Sequence, residues 1–106
     1  DELTDRGEGV YQKNCVACHQ MNGEGLPPIF PALAGSDIVM FDKDRNVEIL
    51  MEGVQGAAMQ SFANQLSEVD MAAVITYTRQ AWGNAENGDG EYVVPSDIVE
   101  YKKPKI

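Results

Sequence analysis

Both cysteines and the only histidine of this chain lie in one five-residue segment, Cys15-Val16-Ala17-Cys18-His19. This spacing is the attachment signature of a c-type haem, in which two thiols add across the vinyl groups of the porphyrin. His19, directly after the second cysteine, is then placed to bind the iron. The pattern therefore predicts one haem c per chain, held covalently by Cys15 and Cys18, with His19 as an axial ligand of the iron.

Other uses of a Cys-x-x-Cys pair fit this sequence less well. Structural zinc needs four ligands, usually cysteine and histidine, and the chain has two cysteines and one histidine. A thioredoxin-like redox pair belongs in a βαβ setting, which the neighbouring sequence does not predict. A simple disulfide between Cys15 and Cys18 would leave His19 unexplained.

Length and composition predict one small folded domain. A chain of 106 residues indicates a single domain, and a hydrophobic fraction of 43% argues against disorder. Such a core is modest, and a haem would supply a large apolar surface around which it can fold. No apolar run approaches the roughly 18 residues of a membrane span, so no membrane contact by this segment is expected. No charged-then-apolar leader is visible either, and we expect a mature chain or an excised domain.

The acidic balance limits the possible partners. Seventeen acidic and eight basic residues give a net charge of −9, so nucleic acid and anionic membrane surfaces are poor partners. A basic or neutral redox protein is favoured, and the isolated domain is expected to be a monomer. Haem attachment at such a motif is normally completed after export, which predicts the periplasmic side of a bacterial inner membrane, either soluble or tethered.

The hydrophobic pattern predicts an all-α fold. Helices are predicted over residues 3–14, 46–53 and 68–82, where apolar residues recur three and four positions apart. Gly53 is predicted to end the second helix, and Ser67 is predicted to cap the third. Residues 20–36 are rich in glycine and proline and are predicted to form a loop. No strand pattern competes with these assignments.

The sequence changes character after residue 83. Residues 84–106 begin with a polar, glycine-bearing stretch and end with Lys102, Lys103 and Lys105. We therefore predict a main domain over residues 1–83, followed by an extended C-terminal tail that packs partly on it.

Ligation by two histidines is excluded because no second histidine exists, so the second axial ligand is expected to be a methionine, with an open site as the remaining alternative. Met59 is favoured, since small residues before it let the backbone approach a haem closely. It also lies 40 positions beyond His19, which is enough chain to reach the opposite face of the ring. Met40 is the main rival. The remaining methionines are placed on apolar helix faces or too close to the histidine: Met51, Met71 and Met21.

Ligation by a histidine and a methionine leaves no open position for oxygen or peroxide. A thioether ligand also favours ferrous iron and raises the reduction potential. The chemistry that remains is one-electron transfer, so the chain is not expected to be an enzyme by itself. The alternative is a haem peroxidase or a gas sensor, which needs an open or labile sixth position.

The order of a helix, the haem motif, a proline loop, a helix, a methionine loop and a long helix resembles a class I c-type cytochrome. The resemblance implies that fold, with three to five helices wrapped around one haem c. It also implies that the carbonyl of Pro31 accepts a hydrogen bond from the axial histidine, with Pro28 as the rival. The family crosses its first and last helices through a glycine and an aromatic pair, matched here by Gly7, Tyr11 and Tyr77.

A narrower resemblance is to the cytochrome c domain fused to the C-terminus of some bacterial cytochrome c oxidase subunit II proteins. It is carried by the segments 23–36, 58–62, 72–84 and 93–99, and covers about residues 4–99. It implies transfer of electrons from a donor cytochrome or similar carrier to the binuclear copper site of the same oxidase. Gln60 departs from the proline that many class I cytochromes have after the methionine ligand. A free periplasmic electron carrier is the alternative.

Overall fold

The computed structural model describes residues 1–103, which contain seven helices. These are α1 (Glu2–Asn14), α2 (Val16–His19), α3 (Asp37–Phe41), α4 (Lys43–Glu52), α5 (Glu68–Gln80), α6 (Asn84–Asn87) and α7 (Pro95–Lys102). No strand occurs in this part of the chain, so the all-α prediction is confirmed. The count exceeds three to five because α2, α3 and α6 are short turns of 4, 5 and 4 residues. Within residues 1–103 no helix combines the length and the apolar character needed to cross a membrane.

Capping side chains set where the main helices begin. The caps are Asp1 for α1, Asp42 for α4 and Ser67 for α5. The cap at Ser67 is where the sequence predicts it. Helix α4 begins three residues earlier than predicted, because Asp42 accepts a hydrogen bond from the N–H of Arg45 at 3.0 Å. Helix α5 ends at Gln80, two residues earlier than predicted, since Trp82 has a φ of 56° that no right-handed helix accommodates.

Helices α1 and α5 cross at Gly7. A Cβ atom on this glycine would lie 2.0 Å from the carbonyl oxygen of Ala73 and 2.7 Å from the Cβ of Tyr77, so only glycine permits this approach. The ring of Tyr11 packs against those of Tyr77 and Trp82, with centroid separations of 5.5 and 5.3 Å. The glycine and aromatic crossing implied by the family resemblance is therefore present, with a third aromatic ring added to it, but α5 is not the last helix because α6 and α7 follow it.

The C-terminal segment is not the extended tail that its composition predicts. It contains α6 and α7, and its Val93 and Ile98 are completely buried. Val93 exchanges two backbone hydrogen bonds with the hydroxyl of Thr76 on α5, at 2.6 and 2.9 Å. Asp97 accepts a bond from the N–H of Val94 and so helps to start α7. Burial of these two apolar residues outweighs the average polarity of the segment, while residues 104–106 lie outside the described part.

Candidate haem-binding site

One cavity of about 340 Å³ brings the predicted site residues together. Cys15, Cys18, His19, Pro31 and Met59 all line it, although they come from three separate parts of the chain. A larger groove of about 620 Å³ between α4 and α7 is lined mainly by charged side chains and contains none of these five residues. The chemistry-bearing residues therefore converge on the smaller, more apolar space.

The cavity has the properties that a haem requires. Its wall is largely apolar and includes Leu50, Phe62, Val74 and Ile75 from α4, α5 and the loop between them. Its volume falls within the range of about 300–1,000 Å³ that is usual for cofactor sites. Two thiols, an imidazole and a thioether face the same apolar space. The residues present thus fit a covalently bound haem c.

The two cysteines have the wrong properties for a redox pair. They do not form a disulfide. Burial, reinforced by Cys18, raises the pKa of the Cys15 thiol to about 11. A catalytic Cys-x-x-Cys pair needs the opposite, a thiol whose pKa is lowered. Within residues 1–103 no group of three or more His, Cys, Asp or Glu side chains could hold a metal ion, so the zinc alternative gains no support either.

The loop after the haem motif fixes the histidine ring. The distance from Nδ1 of His19 to the carbonyl oxygen of Pro31 is 3.1 Å. A carbonyl can only accept a hydrogen bond, so Nδ1 carries the proton and Nε2 keeps its lone pair for a metal. The backbone of Gly25 holds the same loop by donating to the carbonyl of His19 at 3.0 Å. Pro28, the rival acceptor, does not line the cavity.

The loop that carries Met59 is fastened to α4. The carbonyl of Met59 accepts a hydrogen bond from the N–H of Val54 at 2.9 Å, and the N–H of Phe62 donates to the carbonyl of Leu50 at 2.9 Å. Gly53 ends α4 with a φ of 74°, and a Cβ there would lie 2.8 Å from the backbone nitrogen of Ser61. Met59 is the one methionine of the five that lines the cavity. Met40, the rival ligand, is instead buried beside Gly88.

Two buried polar side chains behind the cavity were not predicted from the sequence. Arg79 is 1% exposed, pairs with Asp89, and donates to the carbonyl oxygens of Val39 at 2.8 Å and Glu91 at 2.9 Å. Asn84 is also 1% exposed and bonds to the proline loop. The sequence signals were an arginine within an apolar helix and an asparagine after a glycine. Neither signal identifies partners 40 to 51 positions away in the chain.

Comparisons with known proteins agree with this geometry. Residues 2–77 match the family model described as "Cytochrome C oxidase, cbb3-type, subunit III". Cytochrome c-552 of Thermus thermophilus is 36% identical over 111 residues, an alignment that covers 92% of this chain and 82% of that protein. The cytochrome c subunit of the quinone alcohol dehydrogenase of Gluconobacter oxydans is 34% identical over 106 residues. That alignment covers 91% of this chain, which spans only 22% of the length of the dehydrogenase subunit.

Solved structures share the fold. The crystal structure of cytochrome cL from Methylophaga aminisulfidivorans superposes with a TM-score of 0.64 at 19% identity, covering 100% of this chain and 70% of that one. Cytochrome cL from Hyphomicrobium denitrificans gives a TM-score of 0.55 at 21% identity, covering 94% of this chain and 65% of that one. Since the family model matches well over half of the residues, this chain belongs to the cytochrome c family, in the group that the cbb3-type subunit III model describes, and its cofactor is haem c.

Proposed function

We propose that this chain transfers single electrons through a haem c that is attached at Cys15 and Cys18 and ligated by His19 and Met59. The observation that carries the proposal is the convergence of His19 and Met59 on one apolar cavity, although 40 positions separate them. With both axial positions supplied by the chain, no open site is left for oxygen or peroxide. The peroxidase and gas-sensor alternatives therefore gain no support from this geometry.

The bound haem supplies an iron centre that cycles between the ferric and ferrous states. The chain's own residues set how easily it does so. The Met59 thioether and the apolar wall favour the ferrous state, because both disfavour added positive charge. Pro31 acts in the other direction, since its carbonyl makes the His19 imidazole a stronger donor and so favours ferric iron. The reduction potential follows from the balance of these two influences.

Two arrangements place this electron transfer in a larger system. In the first, the chain is the cytochrome c domain of an oxidase subunit II and passes electrons to the binuclear copper site of the same enzyme, as its sequence motifs suggest. In the second, it is a free periplasmic carrier, with which the similarity to cytochrome c-552 of Thermus thermophilus is equally consistent. Similarity to part of a dehydrogenase subunit is compatible with either, because both need a redox partner. The coding sequence on either side of this segment distinguishes them, since fusion requires membrane helices and a copper domain upstream.

Replacement of the methionine ligand tests the proposal. In Met59→Ala, the weak long-wavelength band of ferric, methionine-ligated haem should disappear and the reduction potential should fall, because water or nothing replaces the thioether. Met71→Ala is the matched control. Met71 is fully buried outside the cavity, so this variant should keep the band and lose about 2–5 kcal/mol of stability. A Met59→Ala protein with an unchanged spectrum would show that Met59 is not the ligand.

A further inference from the structure

Asn84 lies outside the haem cavity, and both the oxygen and the nitrogen of its buried amide have hydrogen-bond partners. Its Oδ1 accepts a hydrogen bond from the N–H of Gly35 at 2.8 Å. Its Nδ2 donates to the carbonyl oxygens of Leu33 at 3.1 Å and Thr78 at 2.8 Å. Both amide hydrogens are used, and a flipped amide would face an N–H with its nitrogen and two carbonyls with its oxygen. The side chain is therefore fixed in one orientation.

These bonds hold one end of the loop that orients the histidine. Leu33 and Gly35 belong to the same short segment as Pro31, whose carbonyl lies 3.1 Å from Nδ1 of His19. Asn84 is hydrogen-bonded to this segment at Leu33 and Gly35, which lie two and four positions after Pro31. On its other side, Asn84 is joined to the end of α5 through the carbonyl of Thr78. A displacement of the segment therefore has to break bonds to a rigid helix.

The turn before Asn84 makes a second set of contacts with the proline loop, through Trp82. Trp82 has a left-handed φ of 56°, a conformation that costs a bulky residue about 1–3 kcal/mol. Its indole N–H donates to the carbonyl of Met21 at 3.0 Å, and its ring covers Gly23, where a Cβ would lie 2.6 Å from the ring. The carbonyl of Gly23 in turn accepts from the N–H of Leu33 at 2.7 Å. The strained turn thus packs against the proline loop and directs Asn84 into it.

We propose that Asn84 is a positioning residue for the axial histidine: it fixes the backbone of residues 33–35 and thereby sets the strength of the His19–Pro31 hydrogen bond, an inference that rests on the proposed ligation by His19. Without Asn84 the loop moves more freely and the bond weakens. A less strongly bonded imidazole is a weaker donor and stabilises ferric iron less, so the reduction potential rises.

Two neutral variants of the holoprotein test this, because a new charge would itself shift the potential. Asn84→Leu preserves the size of the side chain, and Asn84→Ser leaves one hydroxyl. Both should raise the reduction potential. In proton NMR of the reduced protein, the His19 Nδ1–H should exchange into D₂O about tenfold faster than in the wild type, as expected from losing the loop's side-chain bonds.

Thr76→Val is the matched control. Thr76 is as buried as Asn84 and tethers the C-terminal segment to α5 through Val93, but it does not touch the proline loop. This variant should lose stability while keeping the wild-type potential and exchange rate. The proposal is overturned if folded Asn84 variants keep both wild-type values, if Thr76→Val shifts both equally, or if neither Asn84 variant retains haem, which would show a purely structural role. A wild-type spectrum without histidine–methionine features would instead refute the proposed ligation.

Discussion

The crossing of α1 and α5 gives a stability prediction that can be worked from distances. In Gly7→Ala the new Cβ would lie 2.0 Å from the carbonyl oxygen of Ala73, whereas ordinary contact begins at 3.4 Å, so α1 must retreat by about 1.4 Å. Overpacking against backbone of this kind costs about 3 kcal/mol, at the upper end of its usual range. The gain in helix propensity returns about 1 kcal/mol. We therefore expect the free energy of unfolding of Gly7→Ala to be about 2 kcal/mol lower than that of the wild type.

Gly9→Ala is the matched control two positions along the same helix. A Cβ at Gly9 meets nothing within 4 Å, so this variant should gain about 1 kcal/mol from helix propensity alone. The two variants should differ by about 3 kcal/mol, which is about 1 M in the midpoint of guanidinium unfolding for a domain of this size. Equal stabilisation by both alanines would refute the close helix approach.

Two further predictions concern charge. Burial alone would raise the pKa of Asp89, but hydrogen bonds from the N–H of Glu91 and from the guanidinium of Arg79 outweigh it and hold this pKa below its ordinary 3.8. The carboxylate therefore stabilises the fold fully at neutral pH and this contribution is lost as the pH falls below about 4. Asp89→Asn should be less stable than the wild type at pH 7, and its free energy of unfolding should approach that of the wild type in acid. Unfolding curves at both pH values measure this, and an equal difference between the two proteins at both would contradict it. Ala58 is exposed at the cavity mouth, in a loop that carries no charge from Gly53 to Leu66. Under the proposed oxidase arrangement, Ala58→Lys should slow electron transfer to a separately expressed binuclear-copper domain about tenfold, and by more than Glu86→Lys does. Stopped-flow rates across ionic strength measure this, and a steep salt dependence with no effect at Ala58 would rule out a neutral contact surface.

Local sequence signals predict local features of this structure. The haem motif, the cap at Ser67 and the glycine that ends α4 each act within a few residues, so the sequence reveals them directly. The resemblance to class I cytochromes adds Pro31 and the crossing at Gly7, both of which require knowledge of which distant segments meet. The apolar pattern alone places the start of α4 at residue 46, because it gives no weight to Asp42 as a cap.

The main error concerns the C-terminal segment, and its cause is physical. Composition averages over a segment, whereas folding depends on single residues that fit a core. Val93 and Ile98 are fully buried in a segment that is rich in polar and charged residues, and Val93 bonds to Thr76, which lies 17 positions earlier in the chain. A short stretch with two well-placed apolar side chains can therefore fold where its average polarity predicts an extended tail.

Arg79 near the end of α5 and Asn84 in the C-terminal segment together explain how a small chain can fix a haem site that lies between its helices. The cofactor's cavity takes up the centre of the fold, so other parts of the chain hold the loops that line it from one side only. Hydrogen bonds from behind the cavity add to apolar packing there: Arg79 donates to the carbonyl of Val39, and Asn84 bonds to the segment that follows Pro31. Because these bonds are directional, they restrict the loops more sharply than apolar contacts of similar free energy would. In the proposed site, the motif residues thus supply the chemistry, while polar residues far along the chain hold the backbone around it.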